Sequence, residues 1–207
     1  MKAILVRHAA VATKEFTLHG RLPGVSLSLE GQMQARRLAT LLTSWKPSAI
    51  YSSPLERTME TAAGLREELA RQEVGPEHFR ITVQPEPALT EIDFGRWTGK
   101  TIASLEPDPE WKRFNLFRSG SRCPGGESMA EVQLRIVNLL DRLRSRHSGE
   151  AVVLVTHAEV VRSAVCFYLG VPLDLFLRIE IELASISVLR LEDFGARLLK
   201  LNQTAGI

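Results

Sequence analysis

Two apolar runs, Ala3-Ile4-Leu5-Val6 and Val152-Val153-Leu154-Val155, each lead into a histidine: the first continues as Arg7-His8, the second as Thr156-His157. Both read as strands buried on two faces, because β-branched and aliphatic residues follow one another without polar alternation. Sheets built from such strands are covered by helices on both sides, which constrains the chain to a layered α/β architecture. The runs also single out the strand ends. A core strand gains little by finishing on Arg-His, since burying a cation without a partner is costly, and ligands of open α/β sheets bind beyond the carboxyl ends of strands. One strand-end histidine is more often structural or exposed than functional. Two at equivalent ends suggest a site.

Strand and helix signals alternate along the rest of the chain. After an irregular stretch from Ala9 to Leu27, the segment Leu29 to Leu42 places Met33, Leu38, Leu41 and Leu42 at helical spacing behind Ser28 as N-cap. Ala49-Ile50-Tyr51-Ser52 is a short strand, and Ser53-Pro54-Leu55-Glu56 has the form of a capping box that puts Arg57 in the first turn of the next helix. Arg80 to Val83 is a further strand candidate. Residues 85–126 are less regular and hold most of the aromatics. Ser128 and Glu131 form a second capping box, opening an amphipathic helix to about Arg146. The strand ending at His157 is followed by a helix from Val160 to Leu169, stopped by Gly170 and Pro172, and then by a hairpin of Ser185 to Leu191 with Ala196 to Leu201. The expected fold is α/β, a three-layer α/β/α sandwich with a largely parallel, mixed central sheet.

The 207 residues give room for one substantial core and not two, so a single domain over 1–207 is expected. A net charge of +2 offers no concentrated basic face, and neither nucleic acid nor a membrane is expected as a partner. No apolar run approaches the roughly 20 residues of a bilayer span, and no signal-peptide core follows Lys2. A cytoplasmic location is expected, with Cys123 and Cys166 as free thiols.

Three strand ends thus carry polar groups: Arg7-His8, Arg57 one turn beyond the second strand, and His157. Guanidinium groups converging with helix N-termini form a natural phosphate site. At this point the chain resembles the histidine phosphatase superfamily, in its phosphoglycerate mutase-like branch. The resemblance runs through Leu5-Val6-Arg7-His8, Leu29-x-Gly31-x-x-x-Ala35, Tyr51-Ser52-Ser53-Pro54-Leu55-x-Arg57-Thr58-x-x-Thr61-Ala62, Leu89-x-Glu91-x-Asp93-Phe94-Gly95-x-Trp97-x-Gly99, Pro124-Gly125-Gly126-Glu127-Ser128 and Val155-Thr156-His157-Ala158-x-Val160-x-Arg162. It covers nearly the whole chain.

The resemblance implies a metal-independent phosphomonoesterase without a cofactor. His8 would be the nucleophile that forms phosphohistidine. Arg7, Arg57 and His157, the last as a charged partner, would surround the phosphoryl oxygens, and Glu91 would be the proton donor. Each role is chemically coherent. A neutral imidazole can attack phosphorus if an acceptor fixes its other nitrogen. Guanidinium groups neutralise the phosphoryl oxygens. A carboxyl acid at neutral pH needs a raised pKa, so Glu91 should lie in a desolvated wall against Phe94 or Trp97. The expected partner is a small phosphorylated substrate, and a homodimer is compatible with the sequence. Residues 85–126 are expected to form an inserted lid, with Lys112 and Arg113 selecting the substrate; an aromatic mini-core under a solvated face is the competing reading.

The chain departs from the family where Gly-Glu usually follows Arg-His: Ala9-Ala10 stands here, and Ala9 would be strained if that position needed positive φ. Lys14 and Arg21 are candidates to reach an anionic substrate in place of a family asparagine, with solvated loop charges as the more common reading of such residues. Two alternatives stay open: mutase-type transfer to a phosphoglycerate, and a non-catalytic phosphoryl- or partner-binding module. A metal site of His8, His157 and Glu91 is disfavoured, since Arg7 and Arg57 would repel a dication. Gly95 to Thr101 is one residue short of an NTPase phosphate loop and has no leading strand.

Overall fold

The computed structural model describes residues 1–13, 17–72 and 81–205. Its centre is a six-stranded sheet in the order β3-β2-β4-β1-β5-β6. The strands are β1 (Lys2–Arg7), β2 (Ala49–Ser52), β3 (Val83–Pro85), β4 (Ala151–Thr156), β5 (Ser185–Glu192) and β6 (Gly195–Thr204). The β1–β4, β4–β2 and β2–β3 pairs are parallel, whereas β5 runs antiparallel to β1 and to β6. The helices are α1 (Leu29–Leu42), α2 (Glu56–Arg71), α3 (Ile102–Leu105), α4 (Pro109–Leu116), α5 (Met129–Arg146) and α6 (Ala158–Leu169).

Hydropathy showed no alternation in β1 and β4 because both faces are buried, yet the pleat still divides them. Ile4, Val6, Val153 and Val155 pack with Leu38 and Leu42 of α1 and Leu65 of α2. Ala3, Leu5, Val152 and Leu154 face the opposite core, with Ile136 and Leu140 of α5 and Val161 of α6. Full burial of each such aliphatic side chain contributes about 1.5–3 kcal/mol. The chain therefore leaves β1 toward one face and β4 toward the other, and the crevice opens where these two adjacent strands end.

The first helix begins as the sequence predicts: Ser28 Oγ accepts the Gly31 N–H at 3.0 Å. Its apolar stripe differs. Gly31, Ala35, Leu38, Ala39 and Leu42 are buried, while Met33 is 46% exposed. The reason is close approach: a Cβ on Gly31 would stand 1.9 Å from the Ala10 carbonyl oxygen, so small residues bring α1 against the loop after His8. The capping box of Ser128 and Glu131 is present. The expected box at Ser53 is not, because α2 starts at Glu56 with Leu55 as an N-cap that makes no side-chain hydrogen bond.

The candidate strand over 80–83 shifts to Val83–Pro85; Arg80 itself lies outside the described residues. Pro85 is tolerated because β3 is an edge strand. Within 85–126, Trp97 and Phe114 are buried in one of the two cores and meet edge-to-face, with ring centroids 5.4 Å apart. Cys123 and Cys166 are buried free thiols. No helix among the described residues is long and apolar enough to cross a membrane.

Candidate active site

Arg7 and Thr156 are register partners on β1 and β4, so His8 and His157 leave neighbouring parallel strands at the same level. The His8 N–H donates to the Thr156 carbonyl at 2.9 Å, and the two imidazoles meet edge-to-face with centroids 5.3 Å apart. A cavity of about 480 Å³ opens above them, lined by Arg7, His8, Arg57 and Glu91 among others. The sequence-predicted residues thus converge on one place, with His157 fully buried behind the lining.

His8 Nδ1 lies 2.9 Å from the Ala9 carbonyl oxygen. A carbonyl only accepts, so Nδ1 carries the proton and Nε2 keeps its lone pair. Burial, reinforced by the Arg57 charge, pushes the His8 pKa down to about 3, so the ring is neutral at physiological pH. The contact uses the backbone of residue 9 and not its side chain. Ala9 is absent from the residues with positive φ, and its N–H donates to Thr61 Oγ1 at 3.1 Å. Alanine is therefore unstrained there.

His157 differs in its partners. Its Nε2 lies 2.9 Å from Ser53 Oγ, and its Nδ1 3.3 Å from Arg57 Nη2. A guanidinium only donates, so Nδ1 accepts and the Nε2–H donates to Ser53. Burial, His8 and Arg57 hold its pKa well below the usual value. In the unliganded site the ring is neutral, because a third buried cation there is unfavourable. Ser53 Oγ also accepts the Leu55 N–H at 3.4 Å. Its contact with His157 joins residues 104 apart in sequence, which local capping rules cannot foresee.

Arg57 Nη2 donates to the Gly20 carbonyl at 2.7 Å, and Arg7 Nη1 to the Ile181 carbonyl at 2.6 Å. Among the described residues, Arg57 Nη1 and Arg7 Nε are buried without any hydrogen-bond partner. Two buried guanidinium donors beside one cavity are a demand for an anion. Among those residues no group of three or more His, Cys, Asp or Glu side chains is arranged to hold a metal ion.

Glu91 is 12% exposed at the side chain, with Oε2 3.8 Å from His157 Nδ1. Burial first, and the nearby Glu159 second, push its pKa up to about 7, against the pull of Arg57, Arg7 and the Ile92 N–H. Its backbone is braced. Arg21, expected as a candidate substrate contact, instead donates to the Glu91 carbonyl at 2.8 Å and to Glu127 at 2.9 Å, away from the cavity lining. Glu127 also accepts the Asp93 N–H, and a Cβ on Gly126 would meet the Asp93 carbonyl at 2.1 Å. The Pro124 to Ser128 block serves to support the Glu91 loop. Lys112 and Arg113 are exposed and do not reach the cavity, to which segment 85–126 contributes Glu91 and Phe94. Lys14 lies outside the described residues. His19, Glu159 and Arg162 line the cavity but were not selected as site residues from sequence. Burial pushes the Cys123 thiol up to about 12, which leaves it unreactive.

A family model for the histidine phosphatase superfamily (branch 1) matches residues 3–204, and the chain belongs to that superfamily. It is 35% identical to phosphoserine phosphatase 1 of Hydrogenobacter thermophilus, over 99% of this chain and 93% of the relative. Phosphoglycerate mutase-like protein 4 of Arabidopsis thaliana is 31% identical over 77% of this chain and 67% of its own. A mycobacterial glucosyl-3-phosphoglycerate phosphatase solved with VO3 superimposes with a TM-score of 0.83 at 25% identity, covering 98% and 99% of the two chains. The three-layer α/β sandwich is thereby a phosphoglycerate mutase-like fold, and membership supports an enzymatic phosphatase activity.

Proposed function

We propose that the chain is a metal-independent phosphomonoesterase that turns over through a phosphohistidine on His8. The observation that carries this reading is the pairing of a neutral imidazole, its Nδ1–H held by Ala9, with two partnerless guanidinium donors at the same cavity. The phosphoryl group fits between them, its oxygens taking the free N–H groups of Arg7 and Arg57. The amino end of α6, immediately after His157, adds backbone donors. A bound dianion also favours protonation of His157, which then donates from both nitrogens.

His8 Nε2 attacks phosphorus as the ester P–O bond breaks, and Glu91 gives its proton to the departing oxygen. In the second step Glu91 takes a proton from water, the water oxygen attacks phosphorus, and the N–P bond breaks to regenerate His8. A carboxyl group with a pKa near 7 suits both halves of the cycle. Mutase-type transfer needs a second phosphorylated acceptor in place of water. The phosphatase names among the relatives favour hydrolysis, and phosphoserine is the first substrate to try.

The test is incubation with ³²P-labelled phosphomonoester followed by acid and alkali treatment. Acid-labile, alkali-stable label on the wild-type chain and none on His8→Ala is the expected result, with turnover reduced at least roughly 10³-fold. Unchanged turnover in His8→Ala overturns the reading.

A further inference from the structure

Next to the phosphoryl position the cavity carries a carboxylate that the proposed chemistry does not use. Glu159 stands in the first turn of α6, two residues after His157, and lines the same cavity. Its Oε2 is shielded from solvent and has no hydrogen-bond partner among the described residues. Among the described residues the nearest cations are Arg118 Nη1 at 3.7 Å and Arg162 Nη1 at 3.6 Å, beyond hydrogen-bond reach.

Those arginines are held by other contacts. Arg118 is 4% exposed at its side chain and is sandwiched by Phe114 and Phe176, with its guanidinium carbon 4.5 and 4.8 Å from the ring centroids. Arg162 gives its Nε–H to the Ile179 carbonyl at 2.7 Å and also lies over Phe176. A largely buried ion triad without hydrogen bonds is a poor stabilising device, because desolvation offsets the Coulomb attraction unless the geometry is good. It does, however, fix a carboxylate acceptor in the cavity wall beside arginines.

We infer that Glu159 is a specificity-determining residue that receives a substrate ammonium group, so that the preferred substrates are small phosphomonoesters bearing a primary amine. This rests on the phosphomonoesterase reading. A carboxylate with open acceptor positions selects a hydrogen-bond donor, and a cationic donor most strongly. Glu159 stands two residues after His157 and lines the same cavity as His8, which restricts the amine to a short distance from the ester oxygen. An uncharged substrate would leave the buried acceptor unmet, the situation in which polar sites discriminate best.

The test compares two esters of equal length, O-phosphoethanolamine and 2-hydroxyethyl phosphate, with p-nitrophenyl phosphate as a measure of intact chemistry. The wild type is expected to favour the amine in kcat/KM by roughly 10- to 100-fold. In Glu159→Gln that ratio is expected to fall to near one, and in Glu159→Asp, which retains the charge, to an intermediate value. Using the ratio within one variant cancels any change in Glu91 or in folding that affects both esters alike. A wild-type ratio of one, or a ratio unchanged in Glu159→Gln, overturns the inference. So does a preference for phosphoglycolate over both esters, which would assign the triad's arginines to a carboxylate. If none of the esters nor p-nitrophenyl phosphate turns over, the phosphatase reading fails by itself. Calorimetric binding of the same ester pair then decides the inference: an amine preference that Glu159→Gln abolishes supports it, and equal binding overturns it.

Discussion

The two ends of β4 each carry a histidine cluster, and the two are built in opposite ways. Before its amino end, His147 Nδ1 lies 2.8 Å from Glu150 Oε2, its Nε2 lies 3.1 Å from the Tyr51 hydroxyl, and Ser48 Oγ donates to the same Glu150 oxygen at 2.6 Å. Both ring nitrogens are satisfied, and none of these side chains lines the cavity above His8. At the carboxyl end, His8 and His157 sit beside guanidinium donors that have no partner among the described residues. Both clusters combine histidine, serine and glutamate, and the carboxyl end adds Arg7 and Arg57. What differs is completeness. A closed network contributes stability, whereas an open one beside a cavity requires a ligand.

The comparison breaks first at Arg57. Arg57→Ala is expected to lower kcat/KM for a phosphomonoester by about 10²–10³-fold, the usual loss for one donor to developing negative charge. Arg57→Lys should recover little, because an ammonium cannot span both Gly20 and the phosphoryl group. Steady-state kinetics read both, and activity within threefold of wild type in Arg57→Ala would make the two ends of β4 equivalent.

Glu91→Gln sharpens it next. An alkyl phosphate is expected to lose about 10²-fold in kcat, and p-nitrophenyl phosphate less, because its leaving group needs little protonation. The wild-type kcat/KM should fall as pH rises through about 7, where Glu91 loses its proton, and again below about 3, where His8 gains one. The upper limb should vanish in Glu91→Gln. Stability follows the same carboxyl with a definite sign. Its folded pKa lies above the ordinary 4.5, so ionisation costs stability as pH rises from about 4.5 to about 7. Urea denaturation should find Glu91→Gln more stable than wild type by roughly 2 kcal/mol at pH 8 and nearly equal at pH 4.5.

The smallest effect on activity belongs to the other end. His147→Ala should leave kcat/KM within about twofold while lowering stability by about 1–2 kcal/mol, the cost of two lost hydrogen bonds. Denaturation and kinetics on one preparation separate the two quantities. A tenfold loss of activity would show that the closed cluster communicates with the open one.

Particular residues mark how far the sequence could be read. The strands ending at His8 and His157, the caps at Ser28 and Ser128, and the terminal hairpin follow from local signals, because propensity, capping and tertiary packing agree there. Ser53 lies outside what local rules foresee, because its hydroxyl accepts the Leu55 N–H and also meets the distant His157 imidazole. The exposure of Met33 and the bracing role of Arg21 escape local patterns for a related reason. Hydropathy does not reveal which flank of α1 meets the His8 loop, and a loop arginine gives no sign that Glu91 and Glu127 will fold onto it. Glu159 gave no signal at all, since nothing local marks a carboxylate that lands between two arginines held on aromatic rings.

The layered α/β class, the two strand ends that carry histidine and the ordered blocks of the family are all legible along the chain. Those features are written in short-range patterns: apolar runs, caps and motif spacing. The protonation of the two imidazoles, the unsatisfied arginine donors and the placement of Glu159 emerge with the folded packing. Each of these depends on burial and on partners far away in sequence, and a linear pattern contains neither distance nor dielectric.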